Sequence, residues 1–117
     1  MQTIDYIIKT LETIVNIPSP SGFTKDVIQF VKSEAESFGY SCELSNKGGL
    51  IVSVPGNSEE TLGLSAHVDT LGAMVRSIST NGMLKFTLVG GYTLQSVEGC
   101  YCKIHTRDGR VYTGTIL

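Results

Sequence analysis

The period of the apolar residues changes at Gly39, and that change limits what the chain can fold into more than any other feature. Before it, Ile4, Ile7, Ile8, Leu11, Ile14 and Val15 recur at helical spacing, and so do Val27, Ile28, Val31, Ala35 and Phe38. Both stripes are expected to pack into a core. Thr3 can cap the first helix, and Pro18 ends it by forcing Ile17 out of the α region. Pro18-Ser19-Pro20-Ser21-Gly22 then reads as a rigid loop. Thr24 is placed to cap the second helix and Gly39 to terminate it.

From Tyr40 onward the pattern is that of strands. Ser41 to Leu44 and Leu50 to Val54 flank a turn at Asn46-Lys47-Gly48-Gly49. Leu62 to Val68 is mostly apolar, as expected of a strand covered on both faces. After Asp69 no helical pattern is left. Ala73 to Ser79 and Leu84 to Val89 flank Asn81-Gly82, a pair that suits a type I′ hairpin turn with two positive φ angles. Cys100 to Thr106 and Val111 to Leu117 flank Asp108-Gly109 in the same way. The expected organisation is therefore an α/β unit over residues 1–72 followed by an all-β module over 73–117. Each is small for a unit that must bury its own core. The chain also stops at Thr115-Ile116-Leu117, inside an apolar run, so a fragment of a longer protein is expected.

Composition removes several classes of function. The chain is 41% hydrophobic and 17% charged with a formal net charge of -2, the balance of a folded globular protein. Its lysines and arginines are scattered, which argues against nucleic acid as a partner. No apolar run is long enough to span a bilayer, and the N-terminus lacks the positive region of a secretory signal. Three cysteines at irregular spacing suggest no disulfide framework and fit a reducing, cytoplasmic setting.

The chemistry concentrates at His67-Val68-Asp69. Side chains alternate along a strand, so His67 and Asp69 would share one face at the carboxyl end of Leu62 to Val68. Ligand sites of open α/β sheets cluster at such ends. A neutral imidazole is a common zinc ligand, and it commonly gives its other ring N–H to a carboxylate. On spacing alone the commoner arrangement is a His hydrogen-bonded to an Asp with no metal. One His and one Asp also fall short of the three or four protein ligands that zinc requires.

Other candidates are weaker. Cys100, Cys102 and His105 contain zinc-binding residue types, but alternation points His105 away from the two thiols, which read as small buried hydrophobes. Cys42 reads as another strand residue. Ser19, Ser21 and Ser65 lack a nucleophile elbow. Gly48-Gly49 and Gly90-Gly91 lack the strand–loop–helix setting and the lysine of a phosphate loop.

The run His67 to Tyr92, HVDTLGAMVRSISTNGMLKFTLVGGY, resembles the co-catalytic metallo-aminopeptidases of the glutamyl aminopeptidase and tetrahedral aminopeptidase type. Pro18 to Val27 resembles that family's loop into its second helix, and NKGGLIV its hairpin before the metal strand. EGCYCKIHTRDGRVYTGTIL also fits, so the resemblance spans essentially the whole chain. It implies the N-terminal part of a zinc-peptidase-like α/β sandwich, followed by the start of an inserted all-β, PDZ-like dimerisation domain. The His matching His67 would ligate one of two divalent metal ions, zinc or cobalt, and the acid matching Asp69 would support that imidazole. The remaining ligands and the general-base glutamate would follow the inserted domain, beyond Leu117.

The implied activity is metal-assisted release of N-terminal residues from short peptides, with a glutamate moving the proton of an activated water. The 117 residues alone would be inactive, and the whole protein would assemble as a dimer or dodecamer. Thr70 stands where family members commonly carry Glu, which weakens any transfer of substrate preference. HVDT is also similar to a sister family of aminoacylases, tripeptidases and carboxypeptidases. There the inserted domain comes later, whereas here a β module begins directly after Asp69. A fragment of that sister family and a non-catalytic assembly module are the competing readings.

Overall fold

A computed structural model describes residues 2–117. The element order is α1 (Gln2–Asn16), α2 (Lys25–Ser37), β1 (Ser41–Leu44), β2 (Leu50–Ser53), β3 (Gly72–Ile78), β4 (Leu84–Val89), a 3-10 turn (Leu94–Ser96), β5 (Tyr101–His105) and β6 (Val111–Thr115). The chain is thus α/β, with both α-helices ahead of every strand. Among the described residues no helix is long and apolar enough to cross a membrane.

Local chemistry explains the helix ends. α1 stops at Asn16, two residues before Pro18, as the proline requires. It starts at Gln2, so Thr3 lies inside the first turn and does not cap it. Thr24 does sit at the N-cap of α2, but through its carbonyl: Ile28 N–H donates to it at 3.0 Å while the side chain makes no cap bond. The other end closes as a Schellman motif. Gly39, at φ 82°, donates to Glu36 O at 2.9 Å and Tyr40 donates to Ala35 O at 3.2 Å.

The strands form three separate antiparallel hairpins, β1–β2, β3–β4 and β5–β6. One turn design serves all three. In Ser45–Gly48, Ser79–Gly82 and Thr106–Gly109, the fourth residue is a glycine at φ 81–83° that donates to the carbonyl of the first. The first residue then donates to the carbonyl one place past the glycine, at 2.8, 2.8 and 2.9 Å. Asn81 keeps a negative φ, so the expected type I′ turn at Asn81-Gly82 does not form. The loop is one residue longer than that turn, and a single left-handed glycine closes it with a bulge. β3 carries a second irregularity, a register shift between Val75 and Ser77.

Two expectations fail for one physical reason. Leu62 to Val68 forms no strand, because no neighbouring strand exists to complete its ladder among the described residues. Leu62 and Leu64 are correspondingly 84% and 90% exposed. The stripe of α1 is not core either: Ile4, Ile7, Ile8, Leu11 and Val15 are all exposed. The stripe of α2 is better covered, with Val27 buried and Ile28, Val31 and Ala35 half-buried. Tyr6, Ile14, Phe30, Val31, Phe38 and Val52 line an open apolar cleft of ≈ 310 Å³ where α1, α2 and β2 meet. The radius of gyration is 18.1 Å, against about 13 Å for a compact chain of this size. Periodicity marked both apolar faces, but among the described residues only that of α2 is covered, and only in part.

Candidate functional site

The loop Pro18–Gly22 grips the segment Val68–Thr70. Ser19, fully buried, donates from Oγ to Val68 O at 3.1 Å and accepts Thr70 N–H on its carbonyl at 2.9 Å. Pro20 and Thr70 form an isolated parallel bridge. The backbone of Asp69 is therefore pinned on both sides by one serine. Beyond it a turn reverses the loop, with Phe23 N–H donating to Pro20 O at 2.7 Å and Gly22 at φ 87°. That reversal presents the Ser21 hydroxyl to Asp69 Oδ2, to which it donates.

The other carboxylate oxygen meets the imidazole. His67 Nδ1 lies 2.9 Å from Asp69 Oδ1. Hydrogen bonds from Ser21 and from His67 hold the Asp69 carboxyl below its ordinary value of 3.8, against a smaller opposing effect of burial. Asp69 is thus ionised at neutral pH and can only accept, so Nδ1 must carry the proton it shares. The free lone pair then belongs to Nε2, on a side chain that is 83% exposed. Sequence reasoning placed His67 and Asp69 together through strand alternation. The structure brings them together through the Ser19 clamp instead, in a segment that is not a strand.

Among the described residues, no group of three or more His, Cys, Asp and Glu side chains could hold a metal ion. His67 and Asp69 fit the chemistry of a metal site as one corner only: one outward-facing imidazole nitrogen, with a carboxylate behind the ring. The thiols do not add to it. Cys42, Cys100 and Cys102 are free, and a Cβ at Gly114 would lie 3.4 Å from Cys102 Sγ. His105 stacks on Phe23, with ring centroids 5.2 Å apart and a 49° tilt.

Sequence reasoning missed Ser19 and Ser21, which it judged only as nucleophiles. The signal lay in their setting. Two serines alternate with two prolines ahead of a glycine, which makes a stiff loop carrying hydroxyls rather than a flexible one.

Comparison with known proteins places the chain in a family. Residues 48–117 match the model of the M42 glutamyl aminopeptidase family. The chain is 42% identical to the putative aminopeptidase YhfE of Bacillus subtilis (strain 168), over all of the chain and 34% of that protein. Among solved structures it is similar to a TET aminopeptidase from the marine sediment archaeon Thaumarchaeota archaeon SCGC AB-539-E09. The TM-score is 0.87 at 26% identity, covering 97% of the chain and 31% of the archaeal one. The TET1 peptidase of Pyrococcus horikoshii, which can assemble into a tetrahedron or a large octahedral shell, gives a TM-score of 0.78 at 28% identity. That match covers 93% of this chain and 32% of the archaeal one. The chain spans about a third of the length of the proteins it matches.

Proposed function

The chain belongs to the M42 glutamyl aminopeptidase family, and on that premise we propose that it supplies one corner of a metal-dependent aminopeptidase site, with His67 as ligand and Asp69 as its support. One observation carries the reading: His67 Nδ1 is engaged by Asp69 Oδ1 at 2.9 Å, which leaves Nε2 free and exposed. A neutral imidazole oriented in this way is what a divalent metal requires of a histidine. The other ligands and the general base lie outside residues 2–117, in a protein of the relatives' length.

Two divalent ions, zinc or cobalt, when bound supply Lewis acidity at the scissile carbonyl of a short peptide's N-terminal residue. The part played by this chain is positional. The Ser19 clamp fixes the Asp69 backbone, Asp69 fixes the ring of His67, and the imidazole meets the metal without reorganisation. Residues 1–72 belong to the catalytic α/β sandwich in this reading. Residues 73–117 begin a PDZ-like domain through which the whole protein forms homo-oligomers in the cytoplasm. The 117 residues alone hydrolyse nothing, because one ligand does not make a site.

The test has two arms. In a protein of the relatives' length, His67→Ala is expected to lower both metal content and peptidase activity. Unchanged values of both would overturn the ligand assignment. The 117-residue chain is expected to lose zinc on dialysis, and a stoichiometric amount retained would contradict the single-corner reading.

A further inference from the structure

We infer that Ser21 is a positioning residue for His67, acting through Asp69: its hydroxyl locks the carboxylate so that one oxygen always faces Nδ1 and Nε2 always faces outward. The inference rests on the reading of His67 as a metal ligand, and it concerns a residue whose hydroxyl donates to the carboxylate and not to the ring.

A carboxylate with one oxygen engaged can still rotate and exchange its oxygens. One with both engaged cannot, without breaking two hydrogen bonds together. Asp69 is in the second condition, with Oδ1 on His67 and Oδ2 accepting from Ser21. The imidazole is 83% exposed and makes no other hydrogen bond among the described residues. The ring's orientation therefore depends on the carboxylate, and the carboxylate's on Ser21.

The hydroxyl is also delivered rigidly. Ser21 is preceded by Pro20, whose φ is fixed by its ring and which bridges to Thr70. It is followed by Gly22, whose positive φ closes the turn to Phe23. One residue further back, Ser19 is buried and holds Val68 and Thr70 on either side of the same aspartate. The loop thus carries one serine for the backbone of Asp69 and a second for its side chain. A loop that served only to close the fold would need the first and not the second.

The consequence is a tautomer. An exposed histidine in water favours the proton on Nε2, whereas a locked Asp69 demands it on Nδ1. The test uses the 117-residue chain with 15N-labelled histidine, observed by long-range proton–nitrogen NMR at a pH above the imidazole range. His67 is expected in the Nδ1–H form, with His105 as an internal reference. Ser21→Ala is expected to shift His67 several-fold toward Nε2–H without moving His105, and Ser21→Thr to keep the native ratio.

If Ser21→Ala disturbs the fold, Ser21→Thr against Ser21→Val gives the same comparison in equal volume. A His67 ratio unchanged by loss of the hydroxyl, or a native chain already in the Nε2–H form, would overturn the inference. Metal content at full length separates this from the ligand reading. A tautomer shifted by Ser21→Ala in the 117-residue chain, with metal content unchanged by His67→Ala in a protein of the relatives' length, would overturn the ligand assignment and leave the Ser21 lock standing.

Discussion

Gly72 lies so close to Pro20 that a Cβ on the glycine would sit 2.4 Å from the Cβ of the proline. No real side chain tolerates that distance, and neither partner can give easily. Pro20 is held in its bridge to Thr70, and Gly72 opens β3. Gly72→Ala is therefore expected to lift the Pro18–Gly22 loop off Val68–Thr70, at a cost of about 1–3 kcal/mol. Urea unfolding gives the cost, and hydrogen exchange at the Thr70 amide, which donates to Ser19 O, gives the location. Gly63→Ala, which would meet nothing within 4 Å, is the control. Equal exchange at Thr70 in both variants would refute the contact.

The same loop predicts the effect of Ser19→Ala. The variant removes a buried hydroxyl and leaves Val68 O without that partner. A buried hydrogen bond of this kind is worth about 1 kcal/mol, and more where the orphaned group stays dry. Loss of about 1–2 kcal/mol is expected, with faster exchange at Thr70. An exposed serine such as Ser58, replaced in the same way, should change stability by less than about 0.5 kcal/mol.

These residues show where the sequence was legible. The Schellman end of α2, the hairpins and the His67–Asp69 pair all depend on neighbours a few places apart, and local spacing reports such neighbours. The Ser19 clamp joins residues 49 apart, and no local pattern announces it. Leu62 to Val68 failed as a strand because strand formation needs a partner, and an apolar run describes only one side of a ladder. Asn81-Gly82 failed as a type I′ turn for a subtler reason. The dipeptide permits two left-handed residues, but the loop length decides how many are used, and here Gly82 alone is enough.

That shared turn design makes a prediction for three glycines. Gly48, Gly82 and Gly109 all have φ near 80° with open space around the missing Cβ. Substitution to Ala is therefore opposed by backbone strain and not by a clash, and should cost about 1–2 kcal/mol at each. Asn tolerates the left-handed region better, so Gly82→Asn should recover part of the loss. Thermal unfolding of the three variant pairs measures this. Equal costs for Ala and Asn would mean that the strain is not the cause.

Acid should weaken the β5–β6 hairpin. Arg110 Nε donates to Asp108 Oδ2 at 2.8 Å, and this bond, with help from the Thr106 hydroxyl, holds the Asp108 carboxyl below its ordinary 3.8. A depressed folded value means that the ionised form favours the hairpin. The contribution is present above the unfolded value of 3.8 and is lost as pH falls through the folded one. The pair is exposed, so the effect is small and screened by salt. Carboxyl NMR titration should give Asp108 a midpoint below 3.8, and Arg110→Gln should raise it. A midpoint unmoved by that substitution would assign the shift elsewhere.

The exposed stripe of α1 gives the last prediction. Ile4, Ile7, Ile8, Leu11 and Val15 form a run of apolar side chains facing water, and surfaces of this kind mark interfaces. In the 117-residue chain Ile8→Lys buries no charge and removes no buried contact, so stability should change by less than about 0.5 kcal/mol. Val27→Ala, at the one fully buried apolar residue among those described, should cost about 1.5–3 kcal/mol in the same chain. In a protein of the relatives' length the order should change. If the added residues cover α1, Ile8→Lys must desolvate an ammonium and becomes several kcal/mol unfavourable. Denaturant unfolding of both variants in both lengths decides it. An Ile8→Lys that is harmless at full length would show that α1 remains a surface helix.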